Sequence, residues 1–338
     1  MLQIIYFGCF CITLLVLLFL LAYGRTVSVD IVLLSVVIAV SNGGFFALSK
    51  ASNLEEAILA NNITYGIGLF SPILVLLVIC NICRIAFPNI LKAVLIGVQI
   101  LIYFCVCTTG HLTIFYQSIE LHFGEAGSYV TKTYGPVHDL YLLSVLVYTA
   151  SGIVVVIYAL NKRTALVSRR NLDMILFTDI LTVGLYLLER LLHLKYEMMP
   201  LVSTFSIIII SSIVIRVYFF SVYYNQNMFE DEIIKNGYIM FDKNLRYMGA
   251  NNTARQLYPE LNSWELEKKI PGNGGRFNTF LRQSLMKYVQ EGKIEATKGK
   301  TYEYKGELYC YDIGVLLRKG SSIRGYYIKV SNLTDVLR

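Results

Sequence analysis

The sequence predicts a membrane-embedded, all-α bundle of seven helices followed by a C-terminal α+β domain built on an antiparallel sheet. Three observations carry that prediction. The 338 residues are 55% hydrophobic and only 16% charged, with mean hydropathy +0.56, well away from the composition of water-soluble domains. Seven apolar runs each approach the length at which about 20 residues, rising 1.5 Å apiece, cross a hydrocarbon core of about 30 Å. After residue 235 that pattern gives way to alternating segments and short amphipathic ones, the signatures of strands and surface helices.

The runs are Leu2–Tyr23, Asp30–Ser49, Tyr65–Ile82, Ile90–Thr108, Val137–Leu160, Leu172–Leu192 and Met199–Tyr218. The first lacks a basic leading segment and a small-residue cleavage site, so it reads as a span rather than a secretory signal. In the second, Asn42-Gly43-Gly44 reads as a break in the helix. The loop Asn161–Arg170, NKRTALVSRR, is basic with no acid, which places it on the cytoplasmic side. Counting outward from it puts the amino terminus outside and the carboxyl terminus in the cytoplasm. Loops carrying Glu55, Glu56, Glu120, Glu125 and Glu197 then lie outside. The longest of these, Gly110–Pro136, holds two strand-like stretches around Gly-Glu-Ala-Gly, an expected hairpin lid.

Polar residues recur at helical spacing inside the spans. Ser35, Asn42 and Ser49 repeat every seven in the second, and Tyr141, Ser144 and Tyr148 share a face of the fifth. Asp179, Tyr186, Arg190 and His193 lie within about 40° of one line on the sixth at about 100° per residue. Lipid-facing polar groups are costly, so these faces point inward. They serve either as hydrogen-bonding glue between helices or as the lining of an outward-opening ligand cavity. On the second reading the candidate ligand residues are Asn42, Tyr141, Tyr148, Asp179, Tyr186, Arg190 and His193.

The remaining reactive residues point to no catalysis. His111, His122, His138 and His193 all fall in the outer loop or near outer helix ends, without the spacing that gives zinc two ligands from one helix. Cys80-x-x-Cys83 has no second pair, six of the seven cysteines lie in or at the ends of apolar runs, and packing is their expected role. Metalloprotease, serine-hydrolase and paired intramembrane aspartate motifs are missing. Most of the net charge of +7 falls after residue 228, which suits a domain beside anionic lipid and is too diffuse for nucleic acid.

Between Leu201 and Asn236 no Gly or Pro interrupts the chain, so the seventh span is expected to run on as a helical linker over residues 221–235. Ile215, Tyr218, Val222, Asn225 and Phe229 follow a 3-4-3-4 spacing, the interval of a seam between paired helices. A parallel homodimer is the expectation, with Asn225 setting register.

The C-terminal segment, residues 236–338, begins GYIMFDKNLRYMGAN, a hairpin. Asn252–Leu261 and Asn278–Gln290 read as helices, and KTYEYKG, ELYCYDIGVLLRKG and IRGYYIKVSNLT as three strands. This order resembles a PAS domain, whose hairpin runs hydrophobic-Asp-turn-hydrophobic-Asn before a helix. Asp242, Asn251 and Ala254 stand at the matching places, and Asn332-Leu333-Thr334 stands where the family commonly has Asp-Ile-Thr. The resemblance implies signal-relay contacts at Asp242, Asn251 and Thr334. No cofactor is expected, because no histidine follows His193 to ligate a haem and Cys310 lacks the Asn-Cys-Arg-Phe context of flavin-adduct domains.

Residues 1–220 are the expected seven-span domain, and residues 1 to about 225 are similar to the seven-helix sensor region at the amino terminus of some bacterial histidine kinases and diguanylate cyclases. Tyr134-Gly135-Pro136 before the fifth span, the basic loop after it and the direct run into a PAS-like module carry this likeness. It implies a membrane sensor that relays an extracytoplasmic stimulus, a small molecule or something membrane-derived, through the last helix. Neither a phosphoacceptor His after residue 193, nor ATP-lid glycines, nor Gly-Gly-Asp-Glu-Phe occurs. The chain therefore reads as a short or partial sensor that is not itself an enzyme and acts on a separate cytoplasmic output protein. The alternative class is a transporter or channel with a regulatory domain, for which paired Gly/Pro-broken spans in two halves would speak.

Overall fold

The computed structural model describes residues 2–22, 27–162, 167–192, 196–220, 236–272, 275–291, 300–304, 306–317 and 323–333. The chain divides into two compact units, a helical one whose last residue is Ile215 and a second whose main segment is Arg216–Arg338.

Seven helices build the first unit: α1 (Leu2–Ala22), α2 (Val29–Leu48), α3 (Leu54–Ile82), α4 (Asn89–Cys107), α5 (Pro136–Lys162), α6 (Arg169–Leu191) and α7 (Met199–Phe220). All seven are long and apolar enough to cross a membrane. On α1 only Tyr6, Cys9, Thr13 and Leu20 are buried, while Ile4, Leu15 and Leu18 stand exposed. Such a helix needs lipid on its open side. By contrast, every residue of α3 from Pro72 to Cys80 is buried, which makes it the central helix.

Two features of the bundle differ from expectation. Helix α3 begins at Leu54 rather than Tyr65 because Asn53 caps it: the Asn53 side chain accepts from the Glu56 amide at 2.9 Å and donates to the Glu56 carboxylate at 2.9 Å. Two carboxylates in that first turn also suit the helix dipole. The Asn42-Gly43-Gly44 triplet does not break α2, which is continuous through it. A Cβ on Gly44 would lie 2.8 Å from Ile63 Cγ2 and 3.1 Å from the Thr64 amide. Glycine here lets two helix backbones approach closely.

Between α4 and α5 the expected hairpin forms as β1 (Tyr116–Gly124) and β2 (Gly127–Tyr134), antiparallel and closing at Gly124 opposite Gly127. It is fastened to the bundle at the end of α2. The Ser128 amide donates to the Ser49 carbonyl at 3.1 Å, and its hydroxyl donates to the Leu48 carbonyl at 2.7 Å.

The second unit carries β3 (Gly237–Asp242), β4 (Tyr247–Ala250), α8 (Asn252–Leu257), a 3-10 turn (Pro259–Ser263), α9 (Gly275–Glu291), β5 (Lys300–Tyr304), β6 (Glu307–Leu317) and β7 (Ile323–Asn332). The five strands form one antiparallel sheet in the order β4-β3-β7-β6-β5. Helix α8 stops four residues short of the expected Leu261 because Pro259 lacks an amide hydrogen and pushes Tyr258 out of helical geometry, to φ −128° and ψ 84°. Phe277, Leu281, Leu285 and Tyr288 form one stripe of α9 and pack with Phe241, Trp264 and Ile328 in the domain core. Helix α7 is described to Phe220. Val222, Asn225, Phe229 and Thr334 lie outside the described residues.

Candidate ligand-binding site

Beneath the hairpin lies an aromatic layer made by residues far apart in the chain. Phe115 and Tyr116 at the start of β1 meet Tyr65 of α3 edge to face at 5.2 Å and 5.8 Å between ring centroids. Tyr134, at the end of β2, packs on His138 at 3.9 Å. His138 is fully buried at the start of α5, and its Nε2 is 3.2 Å from the Tyr186 hydroxyl of α6. Edge-to-face pairs contribute about 0.5–1.5 kcal/mol each beyond their buried area, so the layer clamps hairpin to bundle. The Tyr116 hydroxyl accepts from Asn61 Nδ2 at 3.4 Å, and burial holds its pKa well above the usual tyrosine value.

Below this layer a partly open cavity lies among α2, α3, α5, α6 and α7. Tyr141 and Tyr186 belong to both the layer and the cavity wall. Tyr141 reaches the wall because Gly68 of α3 leaves room: a Cβ there would lie 2.4 Å from the Tyr141 hydroxyl. On α6, Thr178, Thr182 and Tyr186 are spaced four apart and line the space together with Asp179, a spacing that keeps side chains on one face. Asp179 is buried, and an ionisable group inside a span marks a functional site by default. From α7 come Ser203 and Ser206.

Of the candidate ligand residues, the structure therefore gathers Tyr141, Asp179 and Tyr186 around one space. Asn42 stands elsewhere, at the junction of α1, α2 and α7. Its Nδ2 donates to Thr204 Oγ1 at 3.1 Å and its Oδ1 accepts from Ser203 at 3.4 Å. Tyr148 also points away, its hydroxyl accepting from Gln99 Nε2 of α4 at 2.9 Å. The Arg190 side chain and His193 lie outside the described residues.

Sequence reasoning passed over Gly68, Thr178, Thr182, Ser203 and Ser206. Small polar residues at three- and four-residue steps on α6 and α7 were the available signal. It also passed over a polar latch above the cavity. Lys132 of β2 pairs with Glu197, in the α6–α7 connection, at 2.9 Å. Its ammonium also lies 5.5 Å from the centre of the Tyr65 ring. Tyr6 of α1 donates to the Glu197 carbonyl at 2.7 Å, and Glu189 accepts from the Met198 amide. Hairpin, first helix and the entry to α7 are thus joined.

In the second unit the expected relay residues hold the hairpin and the helix after it. Asp242 Oδ1 accepts from the amides of Asn244 and Arg246, both at 2.9 Å. Asn251 caps α8 by accepting from Ala254 N at 2.9 Å, accepts also from Tyr238 N at 2.8 Å, and donates to Asn236 O at 2.8 Å. Ile215 is half-buried on α7. The Tyr218 side chain is outside the described residues.

Among the described residues no group of three His, Cys, Asp or Glu could hold a metal. The sequence model of one family, described as the N-terminal 7TM region of histidine kinase, matches residues 5–223. Comparison with curated proteins gives no match.

Proposed function

The chain belongs to the family of N-terminal 7TM regions of histidine kinases, and from that premise we propose that a stimulus taken up in the five-helix cavity alters α7, which relays the change to the C-terminal α+β domain. Membership of the family and seven spanning helices make the protein a multi-pass membrane sensor. The cavity as signal site is supported by one observation above all. Its wall is shared between the aromatic layer under the hairpin and Met199, Ser203, Ser206 and Ile210 of α7, the helix whose chain continues into the second unit.

We read that unit as a PAS-like module. Support comes from a strand pair, two helices and three further strands in one antiparallel sheet, with Asp242 and Asn251 holding the first hairpin and the helix start. The basic Asn161–Arg170 loop supports an outer amino terminus and a cytoplasmic C-terminal domain. On this reading the protein works as a homodimer paired along α7 and its continuation, and passes its signal to a cytoplasmic output protein.

Filling the cavity tests the relay. In the full chain in lipid nanodiscs, Val183→Phe, on the cavity wall, should change hydrogen exchange of the amides in residues 237–250. Leu143→Phe, on an exposed face of α5, should not. Identical exchange in the two variants and the wild type would overturn the relay.

A further inference from the structure

Several polar groups around the cavity share one character, and that narrows its occupant. Asp179 is only 8% exposed, and among the described residues it forms no ion pair. A carboxylate at this depth is costly until a positive charge meets it. Three of the neighbouring hydroxyls have spent their protons on acceptors of the bundle. Thr178 Oγ1 donates to the Ile175 carbonyl at 2.8 Å and Thr182 Oγ1 to the Thr178 carbonyl at 2.7 Å, while the one Ser203 proton is shared between the Pro200 carbonyl at 3.2 Å and Asn42 Oδ1 at 3.4 Å. A hydroxyl has one proton and two lone pairs, so what these three still offer is acceptor capacity.

Pro72 adds to the same bias. It lies inside α3 and on the cavity wall, as does Gly68 four residues earlier. Having no amide hydrogen, it withholds the helical hydrogen bond that the Gly68 carbonyl would receive. The rings of Tyr141 and Tyr186 complete the wall, and aromatic faces attract cations. Leu34, Ile38, Ile67 and Val145 supply apolar surface, which a hydrated inorganic ion does not use.

We infer that the cavity binds an organic monocation, an amine with a compact apolar body, whose ammonium is held by Asp179 and the hydroxyl lone pairs of α6 and α7. The inference rests on the cavity being the signal site and adds the chemical class of the signal. An ammonium brings three donors and no acceptor, complementary to the Asp179 carboxyl group and the three hydroxyl acceptors beside it. An anion of the same shape brings a second negative group to Asp179, and a neutral alcohol supplies no counter-charge for its carboxylate.

Three probes of nearly equal shape separate these cases: 2-phenylethylamine, 2-phenylethanol and phenylacetate. Equilibrium dialysis against the full chain in nanodiscs, with empty nanodiscs as the blank for partition into lipid, gives each affinity. The amine should bind saturably, with the alcohol and the acid about tenfold or more weaker. Asp179→Asn should reduce the amine to the level of the alcohol, and the comparison of probes on the wild type holds even if that variant does not fold. Binding of the alcohol or acid as tight as the amine, or an amine affinity unchanged in Asp179→Asn, overturns the ligand class and leaves the cavity as a site. Absence of binding by all three probes overturns the inference altogether. The relay is judged apart from it, by exchange in the Val183→Phe variant.

Discussion

A single methyl group separates an open cavity from a displaced ring. Because a Cβ on Gly68 would sit 2.4 Å from the Tyr141 hydroxyl, Gly68→Ala has to move Tyr141, at an expected cost of about 1–3 kcal/mol. Thermal unfolding in detergent should show the loss, whereas Gly97→Ala, which meets nothing within 4 Å, should unfold at or above the wild-type temperature. Nothing in the local sequence around Gly68 announces this, since its partner is more than seventy residues away. Asn251 is the opposite case. Its place before NTARQL already marks it as a helix cap, and the structure adds bonds to Tyr238 N and Asn236 O. Asn251→Ala should cost about 2–3 kcal/mol, the sum of a lost cap and stranded partners. Trp264, the one tryptophan of the chain and buried in this domain, reports it directly as an earlier fluorescence transition in urea.

At the scale of elements, the hairpin acts as a packed part of the bundle. Its root contributes Phe115 and Tyr116 to the buried aromatic layer, and its far end is bonded to α2 through Ser128. Lys132 joins it to the α6–α7 connection through Glu197. The Lys132 side chain is only 9% exposed, so the pair should exceed a fully solvated one. A double-mutant cycle of Lys132→Met and Glu197→Gln should give a coupling of about 1 kcal/mol, measured by thermal unfolding; additive single variants would show that the contact contributes nothing. The turn and alternation of the hairpin were readable in residues 114–135, because strand pairing across a tight turn is local. Its attachments were not, because Glu197, Ser49 and Tyr65 come from three other parts of the chain. The helical seam proposed beyond α7 is tested by single cysteines placed in turn from Val222 to Ile233. Disulfide formation in membranes should peak with a 3-4 period, and uniform or absent crosslinking would reduce the linker to a tether.

For the molecule as a whole, the proposed membrane orientation is tested by cysteine labelling. In a cysteine-free background, Glu125→Cys at the exposed hairpin turn should react with an impermeant maleimide in intact cells. Lys162→Cys at the exposed end of α5 should react only after lysis. Ser128, though in the same hairpin, is unsuitable because it is buried and hydrogen bonded. The reverse pattern would place the hairpin and the aromatic layer in the cytoplasm and overturn the proposal of an extracytoplasmic stimulus.

The sequence by itself determined the class of molecule, the number of spanning helices, the hairpin and the order of elements in the C-terminal domain. All of these depend on interactions between near neighbours: the length of an apolar run, the alternation of a strand, the cap before a helix, the proline that ends one. Only the tertiary structure decided which inward-facing polar residues share a space. Asn42, Tyr148 and Asp179 look alike along the chain, each polar and on an inward face. Asn42 binds Thr204 and Ser203, Tyr148 binds Gln99, and Asp179 borders the cavity without an ion-pair partner among the described residues. Periodicity gives the face on which a residue stands, but what faces it depends on where the other helices pack. Here that packing rests on close approaches such as those at Gly44 and Gly68, whose partners no local pattern encodes.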